Sequence, residues 1–513
     1  MTPKPRRGAS LVAAGILLSR IAGFVRIYLF NYYFGLSAAA DSFNAALRIP
    51  NLLQNLFGEG SLSASFIPVY ASLLAREEKE EAGRVAGAVF AILALVTSVI
   101  VAIGVLATPL MIGIIAAGFE PERRELAIPL VRIFFPGAGL LVMSAWCLGI
   151  LNSHRKFFLS YSAPVLWNLV MIVALIRFGK QSEMERLAVI VAWASVIGSA
   201  SQFLVQIPFV LRLAPSLKVR LAFDFENVRT VIRNFVPAFF GRGVVQFSAF
   251  VDTWLASFLP KGVLTALLNA QALYLLPISL FGMSISASEL PEMSSAIGEE
   301  REVAKAILDR LTNGLRRIAL LVIPSVVAFI ALGDMVVGAV FQSRTGKFTA
   351  ADTHSVWIIL AGSGIGLLAS TQGRLYSSAF YALKDTRTPL RFAIIRVTLT
   401  TVLGYLCALK LPPLLGLDLK LGAAGLTASA GVSGWIEFLL LRHALSKRIG
   451  AAHVGAALLA RLWGSAIIAA AVAWAIKLHW PIHQPQIAAA TTLIPFAAIY
   501  LLLADTRQFR ARR

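Results

Sequence analysis

Charge is scarce in this chain, and acid is the scarcer kind. Only 14% of its 513 residues are charged, against the ~25% of an ordinary soluble domain. The 26 acids face 47 lysines and arginines, a formal net charge of +21. So little charge beside 58% hydrophobic residues excludes a soluble globular protein and leaves one that crosses a bilayer many times. Cysteine is rarer still. Cys147 and Cys407 each lie in an apolar stretch with no second Cys or His at ligand spacing, which excludes a disulfide framework and a zinc site and leaves packing roles. The six histidines fall mostly at helix ends without metal-ligand spacing. No compact basic domain exists either: the cations are spread over short connections, so nucleic acid is not an expected partner.

What is present is a succession of apolar runs. At about 20 residues per crossing, broken at charged or Pro/Gly clusters, spans start near Gly8, Ser37, Arg84, Glu125, Lys156, Leu187, Val228, Gly262, Leu311, Ala351, Leu390, Leu421, Val454 and Gln486. The expected fold is therefore an all-α polytopic membrane protein of fourteen transmembrane helices. The second run, Ser37 to Ala75, is too long for one straight crossing, and Pro50 and the Gly58-Glu59-Gly60 triplet are its natural breaks. Alternate connections are basic, among them Arg76/Lys79/Arg84, Arg155/Lys156, Lys218/Arg220/Arg229 and the tail Arg507 to Arg513. By the positive-inside rule both termini are expected in the cytoplasm. The worst exception is Glu120 to Glu125, where Arg123 and Arg124 face three acids. The start MTPKPRR resembles a signal peptide, but the apolar run behind it is too long and lacks a cleavage site, so a retained first helix is expected.

The string LFGEGSLSASFIP (Leu56 to Pro68) returns in degenerate form as LFGMSISASELP (Leu280 to Pro291), and Pro164 and Pro389 echo it at a similar offset. A six-helix unit duplicated with the same hand follows, the parallel-repeat transporter plan. The expected organisation is an N-terminal lobe over 1–222, a C-terminal lobe over 223–450, and two further helices with a basic tail over 451–513.

Within the first span, SRIAGFVR (Ser19 to Arg26) places Arg20 ~18 Å from one end of the run and ~22 Å from the other. A cation so deep costs at least ~2.5–3.5 kcal/mol and normally faces a bundle interior or a wet cavity. Arg20, Arg26, Asp41, Arg48, Glu59, Arg242 and Asp252 are the candidate binding residues. Asp41 and Arg48, seven positions apart, share a helical face. The first two spans hold Arg20, Arg26 and Arg48 against Asp41 and Glu59, and that cationic surplus suits an anionic ligand, with phosphate matching guanidinium geometry. Arg374, Arg396 and Glu437 are expected to be structural, and the small residues of GSGIGLLAS to be helix-packing contacts.

The segment SRIAGFVRIYLFNYYFGLSAAADSFNAALRIPNLLQNLFGEGSLSASFIPVYA, with fourteen helices in a 6+6+2 arrangement, resembles the MurJ (MviN) family, the lipid II flippases of the MOP exporter superfamily. The resemblance covers the whole chain, and its first 72 residues carry the specificity. It implies a bacterial inner-membrane transporter, not an enzyme. Such a protein moves undecaprenyl-pyrophosphate-linked disaccharide-pentapeptide from the cytoplasmic to the periplasmic leaflet by alternating access in peptidoglycan biosynthesis. It also implies functional roles for Arg20, Arg26, Asp41 and Glu59, and an apolar groove for the lipid tail on the last two helices. Three departures stand out: Ile27 where the family often has an acid, Gln54 where it has a base, and Ala272 and Leu275 where the eighth helix often carries Arg and Glu. Arg242 and Asp252 are expected to replace the missing charges.

The mechanism expected is a rocking of two lobes, with the head group held by Arg20, Arg26, Arg48 and Arg242. No cofactor is expected. Coupling to membrane potential, H+ or Na+ is open, with Asp41, Glu59 and Asp252 as the acids concerned. Lipid II and membrane lipids are the expected partners, and the chain is expected to act as a monomer. The competing readings are a MOP-type exporter of another lipid-linked oligosaccharide or of drugs, a polyprenyl-phosphate glycosyltransferase, and a scaffold. The second lacks a large extramembrane loop for its carboxylates, and the third would leave costly buried cations idle.

Overall fold

The structure, a computed structural model, describes residues 6–222, 225–295, 299–480 and 484–504; side chains at 6–13, 59, 240–242, 244, 245, 247, 248 and 300 are outside the description. Every regular element among the described residues is helical. Contacts divide the chain into two compact units, Met1–Ser257 and Phe258–Arg513.

The first unit runs α1 (Arg6–Phe34), α2 (Ala38–Phe57), α3 (Glu59–Ala75), α4 (Lys79–Leu106), α5 (Thr108–Ile115), α6 (Pro121–Ser153), α7 (Phe157–Ser162), α8 (Pro164–Phe178), α9 (Met184–Leu213) and α10 (Glu226–Ser257). The second begins with α11 (Val263–Pro277), a π-helical turn over Ile278–Met283 and α12 (Ser284–Ser294). It continues through α13 (Glu300–Ala331), α14 (Gly333–Phe341), α15 (Ala350–Ala382) and α16 (Arg387–Tyr405). A π-helical turn over Leu406–Lys410 leads to α17 (Leu411–Leu414), α18 (Gly422–Ile449), α19 (Ala456–His479) and α20 (Pro485–Leu503).

Among the described residues twelve helical stretches are long and apolar enough to cross a membrane; α2, α3 and α10 fall outside that set. Their outward faces are those of lipid-bathed helices. On α4, Leu95, Val99, Ile103 and Leu106 recur every three or four residues and are exposed, while Ala82, Val85, Ala86 and Val89 are buried.

The long second run breaks where its glycine requires it. Pro50 stays inside α2, whereas the chain leaves helical geometry at Gly58, whose ψ is −150°. A Cβ there would stand 2.1 Å from the carbonyl oxygen of Gln54, so only glycine fits the close return of the chain. In the second unit small residues let helices approach: a Cβ on Gly366 of α15 would meet Cα of Gly431 on α18 at 2.4 Å. The GSGIGLLAS segment is thus a helix-packing surface, as its composition implies. Cys147 is buried in the core formed by α3, α4, α6 and α10, and both cysteines are free.

By contacts α10 goes with the first unit. The physical reason is an aromatic seam: Phe235 and Phe239 of α10 stand 5.6 and 5.1 Å from Phe57, and Asn55 donates to Gln246 at 3.1 Å.

The two units nonetheless repeat an order of elements. A long helix is followed after one residue by a short one in α4–α5 and again in α13–α14. α6 and α15 are both 33 residues long. Two positions beyond each lies a non-glycine residue with positive φ, Arg155 at 59° and Lys384 at 59°. α6 packs on α9 as α15 packs on α18.

Candidate functional site

The charged residues singled out by depth separate into three kinds. The first is sealed. Asp41, in the first turn of α2, is 0% exposed and its Oδ2 lies 3.5 Å from Nη1 of Arg123, itself 3% exposed. The Arg123 guanidinium also lies 4.7 Å over the ring of Phe119, and Ser42 donates to the Arg123 carbonyl at 2.9 Å. Arg123, which reads in the sequence as a connection charge, is a buried residue of the first turn of α6. This removes one base from the connection that most offended the alternation of charge.

The second kind is matched but accessible. Arg48 is half-buried and attracts Asp252 of α10. Although Asp41 and Arg48 share a helical face, they take partners on different helices, α6 and α10. In the second unit Arg396 pairs with Glu437 at 3.1 Å across α16 and α18, and Arg374 of α15 lies within the field of both. Lys477 of α19 pairs with Asp334 of α14, tying the last helices to this unit.

The third kind is Arg26. Its Nε donates to Oδ1 of Asn168 on α8 at 2.9 Å, and its guanidinium lies 4.9 Å from the centroid of the Trp167 ring. Among the described residues no carboxylate lies within ion-pairing distance of it. Its guanidinium is therefore held through Nε by a neutral acceptor and by an aromatic face, with no countercharge among the described residues. Arg20, six positions earlier, is exposed and points ~120° away around α1. The Glu59 and Arg242 side chains lie outside the described residues.

Asn168 and Trp167 also line a cavity of about 450 Å³ within the first unit, together with Asn51, Gln54, Asn55, Gly60, Ser144, Ser160 and Gln202. Its lining mixes these polar groups with Leu141, Ala145, Leu148 and Pro164, and among the described residues it carries no ionic side chain. Sequence reasoning missed it. The available signal was Asn51, Gln54 and Asn55, three carboxamides at i, i+3 and i+4 on one face of an otherwise apolar segment.

A many-spanning all-α protein, with an arginine that has no countercharge among the described residues beside a cavity rich in carboxamides and hydroxyls, has the form of a membrane carrier. Residues 30–487 match the family described as "Lipid II flippase MurJ". A protein of that description from Burkholderia cenocepacia is 31% identical over 96% of both chains. A "probable lipid II flippase MurJ" from Rhizobium tropici is 30% identical over 85% of this chain and 80% of its own. The chain belongs to the MurJ lipid II flippase family. Among solved structures, a lipid II flippase MurJ in an inward closed conformation superposes with a TM-score of 0.79 at 24% identity, over 98% of this chain and 99% of the other. An inward-facing multidrug MATE transporter of the MOP superfamily superposes at 0.66 and 19% identity, over 84% and 94%. These two likenesses establish the shared fold.

Proposed function

We propose that this chain flips lipid II, moving its pyrophosphate-linked head group from the cytoplasmic to the periplasmic leaflet of a bacterial inner membrane with no covalent step. Arg26 carries the reading. A guanidinium fixed by Asn168 and Trp167, with no carboxylate on it among the described residues, offers its fork to a phosphate oxyanion. Asp41 serves a different end, holding Arg123. For coupling to the membrane potential, H+ or Na+, Asp252 is the acid that suits, since it is half-buried beside Arg48.

Fourteen crossings follow when the α2–α3 pair and α10 join the twelve apolar stretches. An even number returns both termini to the same side, and the basic connections make that side the cytoplasm. The repeated order of α4–α5–α6 and α13–α14–α15 supports a six-helix duplication and alternating access. α19 and α20 stand outside the repeat and suit the lipid tail. Export of another lipid-linked oligosaccharide is the second reading, and family membership favours lipid II over it.

The test is growth of cells depleted of their own lipid II flippase. The wild-type chain should restore growth, and Arg26→Ala should not, although it accumulates in the membrane. Reporter fusions near Arg84, Lys156 and Arg301 should report cytoplasm, and those near Ala38, Lys261 and Lys347 the opposite side. A cytoplasmic signal at Lys261 would defeat the fourteen-crossing topology.

A further inference from the structure

The carboxamide cavity has more hydrogen-bonding capacity than the protein uses. Gln202 and Gln206 both donate to Ser144 Oγ, at 3.0 and 2.6 Å, and Gln206 donates again to the Gln202 carbonyl at 2.9 Å. With its lone pairs so engaged, the Ser144 hydroxyl proton is the group left to donate. Behind the lining, Oε1 of Gln206, a residue only 1% exposed, is buried without a partner among the described residues. Asn51 and Gln54, half-buried on the cavity wall, make no side-chain hydrogen bond among the described residues. Each presents two N–H donors and a carbonyl acceptor in a setting where unmet polar groups are costly. These are groups waiting for a polar, uncharged ligand.

We propose that this cavity is the subsite for the sugar of the lipid-linked head group, an acetamido hexose joined directly to the pyrophosphate. The inference rests on the reading of Arg26 as a phosphate ligand. Three features select a sugar. Among the described residues the lining holds no ionic side chain, which suits a neutral saccharide and gives nothing to the carboxylates of a peptide. Carboxamides match both hydroxyls and an acetamido group, and the Trp167 ring provides a flat apolar wall. The volume, about 450 Å³, lies in the ~300–1,000 Å³ range of small-ligand sites. The placement is consistent as well: Asn168 touches Arg26 and lines the cavity, so a phosphate on Arg26 sets the first sugar at its mouth.

The test is binding of two probes, lipid II and undecaprenyl pyrophosphate, to the full-length purified chain and to Asn51→Leu, Gln54→Leu, Gln202→Leu and Arg26→Ala. Asn51 and Gln54 are the primary sites, since both are half-buried and leucine keeps side-chain size and helix propensity; thermal melting of each variant accompanies the binding. Loss of one or two uncharged hydrogen bonds should weaken lipid II binding roughly three- to tenfold and leave undecaprenyl pyrophosphate binding unchanged. Arg26→Ala should weaken both. Unchanged lipid II binding in the leucine variants, or an equal loss for both probes, overturns the sugar subsite alone. A wild-type chain that binds neither probe overturns the flippase reading and the subsite with it.

Discussion

The two ends of α2 treat polarity in opposite ways. Near its start, Asp41 and Ser42 are fully buried and spent on Arg123, an ion pair closed on all sides. Near its finish, Asn51, Gln54 and Asn55 surround a cavity, and two of the three leave their side chains uncommitted. A charge at membrane depth is thus not in itself a sign of binding. What separates Asp41 from Arg26 is the partner: a countercharge in one case, and a neutral amide with an aromatic ring in the other. Breaking a closed pair costs stability, whereas removing an uncompensated cation costs function.

The sharpest break in that comparison is Arg123→Ala. It removes the guanidinium that faces the fully buried Asp41 carboxylate and should destabilise the protein by ~3–5 kcal/mol, visible as lost membrane abundance and early melting. Adding Asp41→Asn should recover part of the loss; no recovery would show that Arg123 acts by packing and not by charge. Next in size is Gly58→Ala, which forces a Cβ into the Gln54 carbonyl and should cost ~1–3 kcal/mol by thermal melting, with the cavity-facing end of α2 displaced. Arg396→Gln breaks a pair whose partners are 43% and 19% exposed, so its effect should be smaller than that of Arg123→Ala, whose pair is 3% and 0% exposed.

The smallest effect expected is a pH dependence at His154. Burial, and then the positive charge of Lys156, hold its ring below the usual histidine range, and the ring shares a 3.1 Å hydrogen bond with Tyr70. The folded state therefore prefers the neutral ring. Its contribution is fully present above the ordinary pKa of ~6.5 and is lost as pH falls through the lower folded value. Melting temperature should decline between pH 7.5 and 5, and His154→Gln should flatten part of that decline.

The crossings were legible because about 20 apolar residues between basic connections leave few alternatives. The break at Gly58 was legible too, since a glycine triplet in an over-long run marks a backbone constraint. Arg123 was not, because a cation among Glu120, Glu122 and Glu125 has the composition of a surface connection, and only the fold brings Asp41 to it. The cavity was hidden for another reason. Neutral polar residues in a helix are ordinarily satisfied by their own backbone, as Ser199 is by Ser195, and taken singly Asn51 reads as such a residue; only its spacing with Gln54 and Asn55 sets it apart. Arg26 was legible as costly, but its neutral partners, Asn168 and Trp167, are brought to it only by the tertiary structure.

The most direct test of the account is lipid II translocation by the purified chain in vesicles, measured for wild type and Arg26→Ala with the melting temperature of each. Wild type should move lipid II, and Arg26→Ala should fold and melt as wild type does while translocating none; Arg26→Lys should fall between, keeping the charge but not the fork. Translocation by Arg26→Ala at the wild-type rate would contradict the account, as would a loss of transport that comes only with loss of the folded protein.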